Sequence, residues 1–373
     1  MLNVLQGFAN WSVYGVPAFL FLITVVVFFH ELGHFSVARL FGVRIETFSI
    51  GFGPAIVKWK DRKGTQWKIS WIPLGGYVKF FGDADGASTP DREAAASMSA
   101  ADRAVAFPFK PLWQRALIVA AGPVANLVLA VAIFMGIFMF YGYAVVPPVV
   151  ASFSPNSAAH DAGLKVGDRI VSIDGDSVDD FDDIHAIVAF SIGQKLRLAV
   201  DRGGHEMTFI VTPRRDVDVD PAGNKSVVGK LGIASAQIKS LVHLGPIRAA
   251  GAALGQIRLI VVTTYRGLTR SPEGLRQVSG VIGIANMSGK IAAIGLMALI
   301  QLAALLSVSI GLVNLFPIPL LDGGHLLYYA CEGVLGRPLG ERAQDVGFRL
   351  GLAVVLGMFL LATWNDLVRL NLF

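Results

Sequence analysis

The sequence predicts a polytopic α-helical membrane protein with four transmembrane helices, an inserted β-rich domain and a small membrane-associated β-hairpin. Three observations support that class. The 373 residues are 54% hydrophobic and only 16% charged, with a mean hydropathy of +0.59, whereas soluble domains average about 25% charged residues. Four segments are apolar over the ~20 residues that a bilayer requires. Between the second and third lies a stretch of short alternating runs separated by turn residues, as in strands. A single cysteine, Cys331, excludes a disulfide framework and a cysteine-based zinc finger. No nucleic-acid signature is present.

The first apolar segment runs from about Pro17 to Phe41, and Pro17 suits an early helical position. It lacks a basic leader and a small-residue cleavage site, so it reads as a retained helix rather than a signal peptide. Within the region 45–82, Thr65–Ile72 alternates like a strand and Gly76–Phe80 forms a second candidate strand. A hairpin of this kind, dipping toward the first helix, offers an edge to an extended peptide. That makes Gly76, Tyr77 and Val78 candidate substrate-binding residues.

The second apolar segment spans about Ala116 to Tyr143, and residues 145–215 read as the soluble β-rich domain. Leu196–Val200 and Met207–Val211 are strands there, joined through Arg202-Gly203-Gly204-His205. Residues 216–290 begin as a linker, because Arg214–Lys230 is rich in Asp, Pro, Gly and Asn. From His243 to about Thr269 a mixed apolar pattern with Arg248, Arg258 and Arg266 predicts an amphipathic helix. It either lies on the membrane surface or packs against the soluble domain. The third and fourth spans cover about 291–321 and 350–364. Lys and Arg crowd the link between spans one and two, and Arg337, Arg342 and Arg349 occupy the link between three and four. Both links are therefore expected in the cytoplasm, with the β-rich domain on the other side.

The strongest chemical signal lies in the first span, at His30-Glu31-Leu32-Gly33-His34. Histidines four apart on a helix share a face and can bind one Zn²⁺, with Glu31 placed to take a proton from water at the metal. Ionisable residues are costly inside an apolar span and usually functional there. Catalytic zinc sites generally use a third protein ligand. The candidate is Asp322, in Asn314-Leu315-Phe316-Pro317-Ile318-Pro319-Leu320-Leu321-Asp322-Gly323-Gly324. The topology brings it to the cytoplasmic end of the first helix. The alternative is that Asp322 caps the helix that follows. His325 is a second, weaker competitor for the metal. Asn314 and Asn126 are amides in or near apolar spans that either hold an extended substrate or bond between helices. A metal transporter would instead show ligands at several depths.

The His30–His34 motif, the Asn314–Gly324 stretch and the order of spans resemble the site-2 protease family, most closely its bacterial regulator of sigma-E protease branch. Phe48–Pro54, Pro73–Lys79, Trp113–Ala116 and Gly122–Asn126 add to the likeness. Ala162–Gly175 resembles the PDZ domains attached to envelope proteases. The resemblance implies that His30, His34 and Asp322 bind zinc and that Glu31 is catalytic. It also implies an enzyme of the bacterial inner membrane that cleaves single-span membrane proteins within the lipid bilayer, such as trimmed anti-sigma factors or signal-peptide remnants. Its PDZ domain would act as a steric gate or a peptide-binding site. The chain departs from that branch in carrying one recognisable PDZ domain instead of two, and Val281 where proline is frequent.

Overall fold

The computed structural model describes residues 15–83, 97–178, 180–219, 225–235, 240–270 and 278–369. Its longer helices are α1 Val16–Leu40, α2 Leu112–Phe140, α3 Phe181–Val188 and α4 Pro246–Arg270, followed by α5 Val281–Ile294, α6 Leu296–Asn314, α7 Asp322–Leu335 and α8 Glu341–Arg369. The chain divides into two compact units, Met1–Ala130 with Gly280–Phe373, and Val131–Ser279.

Five of these helices are long and apolar enough to cross a membrane: α1, α2, α6, α8 and the Pro246–Gly267 part of α4. The fifth, α4, is the one for which the sequence predicts an amphipathic role. The expected third span, 291–321, is not one helix. Gly295, at φ +142°, separates α5 from α6. At the other end α6 stops at Asn314, because Pro317 and Pro319 cannot continue a helical hydrogen-bond ladder. The fourth span is longer than its apolar centre suggests.

In the first unit, Phe19, Leu22, Val26, His30, His34 and Ala38 are the buried positions of α1. They recur every three or four residues, so they share one face. Glycine permits the closest packing on that helix: a Cβ on Gly33 would lie 2.2 Å from the Ala121 carbonyl oxygen of α2.

Strands β1 (Ile45–Lys60) and β2 (Gln66–Phe80) form the sheet beside α1. The expected hairpin placed the two halves of β2 next to each other. Instead Thr47–Ile50 of β1 lies between them, with Gly76–Lys79 on one edge and Gln66–Ile69 on the other. Packing explains the insertion. Phe48, fully buried, meets Phe28 and Phe35 of α1 at ring distances of 5.9 and 5.4 Å and stacks on Trp67 at 4.3 Å. Each such pair contributes about 0.5–1.5 kcal/mol beyond burial. At the end of α1, Arg39 pairs with Asp61 and donates to the Thr65 hydroxyl, and that hydroxyl donates to the Ile45 carbonyl. The turn between the strands is thereby tied to the helix.

The second unit holds a four-stranded sheet in the order β6-β5-β7-β8. Its strands are β5 Arg169–Ile173, β6 Asp176–Ser177, β7 Leu196–Arg202 and β8 His205–Val211. Gly203 and Gly204, at φ +61° and +86°, make the predicted tight turn between β7 and β8. Leu164, Ile170, Ile173, Leu196, Leu198 and Val200 fill the core. Residues 214–230, expected as linker, instead form strands where they are described. β9 (Arg214–Val219) pairs with β10 (Lys225–Lys230), and β11 (Ile233–Ser235) pairs with β4 (Val150–Phe153). Leu231 joins the core. The polar composition misled because Asp216 and Asp218 lie on a ribbon where Lys230 bridges both. A last pair, β12 (Ser240–Val242) with β3 (Tyr143–Val145), precedes α4. Arg266 of α4 forms an ion pair with Asp176 in the same unit.

Candidate metal centre and cleft

His30 and His34 project from the buried face of α1, and Asp322 opens α7. The approach to Asp322 is sharply folded. Leu320 has φ +90°, and a Cβ on Gly323 or Gly324 would fall 2.2 Å from the Phe316 carbonyl oxygen or 2.4 Å from that of Ile318. α7 has no side-chain N-cap bond. The Asp322 carboxylate turns to the histidines instead, with Oδ2 3.1 Å from His30 Nε2 and Oδ1 3.5 Å from His34 Nε2. The cap alternative is thus not the geometry adopted.

The donor atoms of His30, His34 and Asp322 all lie within 4.8 Å of one another. His34 Nδ1–H donates to the Ile118 carbonyl at 2.9 Å, which leaves Nε2 as a bare acceptor facing His30 Nε2 at 3.2 Å. Asn126, fully buried, places its amide 3.3 Å from His30 Nδ1. Its Oδ1 has no hydrogen-bond partner among the described residues. A half-turn of that amide lets Oδ1 accept from His30 Nδ1–H, freeing the Nε2 lone pair. The buried Asp322 Oδ2 also has no hydrogen-bond partner among the described residues. Two imidazole lone pairs and a carboxylate then face one point, which a cation satisfies. Two nitrogens and one oxygen form a donor set suited to zinc.

Glu31, Val27, Gly76, Tyr77, Val78, Asn314 and His325 line a cleft of about 300 Å³ together with the three donors. Gly76 packs close to Glu31: a Cβ there would come within 3.2 Å of Glu31 Cγ. Of the residues expected at a substrate site, Gly76, Tyr77, Val78 and Asn314 border this cleft. Asn126 does not, because it stands behind His30. Sequence reasoning missed Gly122. A Cβ on it would lie 2.2 Å from His34 Nε2 and 2.9 Å from His30 Cε1. Its signals were its place in the stretch Gly122–Asn126 that adds to the family likeness and its position just before Pro123 inside an apolar run.

Comparison with known proteins shows the family of the chain. Residues 18–358 match the model of peptidase family M50. A protein of Rhizobium meliloti (strain 1021) that carries a zinc metalloprotease name is 46% identical over 360 residues, covering 95% of this chain and 96% of that protein. Metalloprotease MmpA of Caulobacter vibrioides is 40% identical over 379 residues, covering 95% of each.

Proposed function

The chain belongs to peptidase family M50, the intramembrane zinc metalloproteases, and from that premise we propose that it cuts the membrane-spanning segment of single-span proteins. Anti-sigma factors already trimmed outside the membrane and remnant signal peptides have the required form. One observation carries the reading: Glu31 and the three converging donors open onto a cleft whose wall is the strand Gly76–Val78. A helical substrate hides its peptide bonds in its own hydrogen bonds, so it must be extended before it can be cut. The edge of β2 can receive it as an added strand, and Asn314 also lines the cleft.

His30, His34 and Asp322 would hold zinc, and Asn126 and the Ile118 carbonyl would orient the two rings. Bound there, zinc supplies a Lewis acid and lowers the pKa of water. Glu31 takes the proton of the attacking water and passes it to the leaving amine. The β-rich unit corresponds to the PDZ-like domain, on the extracytoplasmic side of a bacterial inner membrane, and keeps bulky outer domains away. Its ion pair to α4 supports holding that helix with the outer unit rather than across the bilayer.

The test is cleavage of a single-span model substrate by Glu31→Gln. Proton transfer typically contributes about 10²–10⁴ in rate, so cleavage should fall by at least that range with zinc retained. Substantial cleavage by this variant would refute the assignment.

A further inference from the structure

Asp366 lies in the apolar helix α8 and is only 1% exposed. Nothing in the proposed reaction uses it, and a buried carboxylate is costly to keep unless its oxygens find partners. It accepts hydrogen bonds from two backbone amides, Gly280 N–H at 3.1 Å to Oδ1 and Gly283 N–H at 2.7 Å to Oδ2. These residues are the N-cap and third residue of α5, which has no side-chain cap of its own. First-turn amides lack partners within their helix, and a negative charge suits that end. α8 therefore supplies, from a distant part of the chain, the cap that Gly280 cannot.

The joint is tight. A Cβ on Gly283 would lie 2.3 Å from Asp366 Oδ1, and one on Gly280 would lie 2.8 Å from Oδ2. α5 packs on α1, which carries His30, Glu31 and His34, and on α6, which ends at Asn314. Gly280 is also the first residue of the core unit after the β-rich unit ends at Ser279.

We propose that Asp366 is a positioning residue, a latch that holds α5 against α1 and so sets how a membrane-embedded substrate reaches the cleft. This rests on the proteolytic reading above. A short peptide entering from water does not need that path.

The experiment uses the full chain in liposomes, comparing wild type, Asp366→Asn and Gly283→Ala. The substrates are a single-span protein and a water-soluble peptide carrying the same scissile sequence, with zinc content and amide exchange of α5 measured alongside. For both variants kcat/KM on the single-span substrate should fall about tenfold, mainly through KM, while the peptide changes less than about twofold and zinc is kept. Exchange at Gly283 and Ile284 should accelerate about tenfold in Asp366→Asn, a readout independent of cleavage. Should Asp366→Asn fail to assemble, Gly283→Ala decides by the same kinetic split. Equal loss on both substrates, or unchanged α5 exchange, would overturn the latch. If wild type cleaved neither substrate while exchange still responded, the proteolytic reading would fall, and the claim about substrate admission with it.

Discussion

Gly122 faces the His34 ring with no space for a side chain: a Cβ would sit 2.2 Å from Nε2. The absent methyl group leaves room for the His34 lone pair that faces the other two candidate donors. Gly122→Ala must displace either α2 or the imidazole. It should lower zinc affinity at least tenfold, the lower end of the range for supporting residues around a metal. Competition with a chelator measures this, and unchanged affinity would show that the helices shift at no cost to the site.

Asn126 is the second support. Asn126→Leu removes the amide that can fix the His30 tautomer, so zinc affinity should drop about 10- to 100-fold. If zinc affinity held and only KM for substrate rose, Asn126 would be a substrate residue after all.

Asp322→Asn and Glu31→Gln should fail differently. The first removes a charged donor and should lose both zinc and cleavage. The second should keep about one zinc per chain and lose cleavage alone. Normal zinc content in Asp322→Asn would remove it from the donor set.

Single cysteines at Lys60, Asp174 and Arg342 test the topology. Impermeant reagents should label Asp174→Cys from outside and the other two from the cytoplasm. Labelling of Asp174→Cys and Arg342→Cys from the same side would show that the four-span count is wrong, with α4 as the first helix to re-examine.

Acid should act on the β-rich unit through Asp168. The hydrogen-bonded Arg202 guanidinium, with bonds of 2.7 Å to both oxygens, holds the Asp168 carboxyl below its ordinary range. A depressed carboxyl pKa adds stability that is fully present above the unfolded value of about 3.9 and is lost as pH falls through the folded value. Arg202→Gln should therefore unfold more easily than wild type near neutrality, and the gap should close as pH drops below about 4. Thermal scans of the full chain over that range would show it, and a gap independent of pH would assign the loss to packing.

The candidate site was legible because its signals are local. His30, Glu31 and His34 share one helix, and Asp322 follows prolines and precedes glycines that announce a turn. Asn126 and Gly122 were not, because their roles depend on which helix faces α1, and uniformly apolar helices carry no pattern that says so. The break at Gly295 was hidden for the same reason, with apolar residues on both sides. The nesting of Thr47–Ile50 inside β2 depends on Phe48 reaching the aromatic residues of α1, a tertiary contact that alternation alone cannot announce. Residues 214–230 looked like linker because their strands are short and polar.

The candidate site is assembled from segments far apart in the sequence, with His30, Glu31 and His34 on one helix and Asp322 far downstream. During synthesis the ribosome releases His30–His34 long before Asp322, and the β-rich unit is made in between. A nascent chain would thus carry an incomplete centre until Asp322 is made. A chain released short of Asp322 could not bring the three candidate donors together, which makes the order of the segments itself a safeguard.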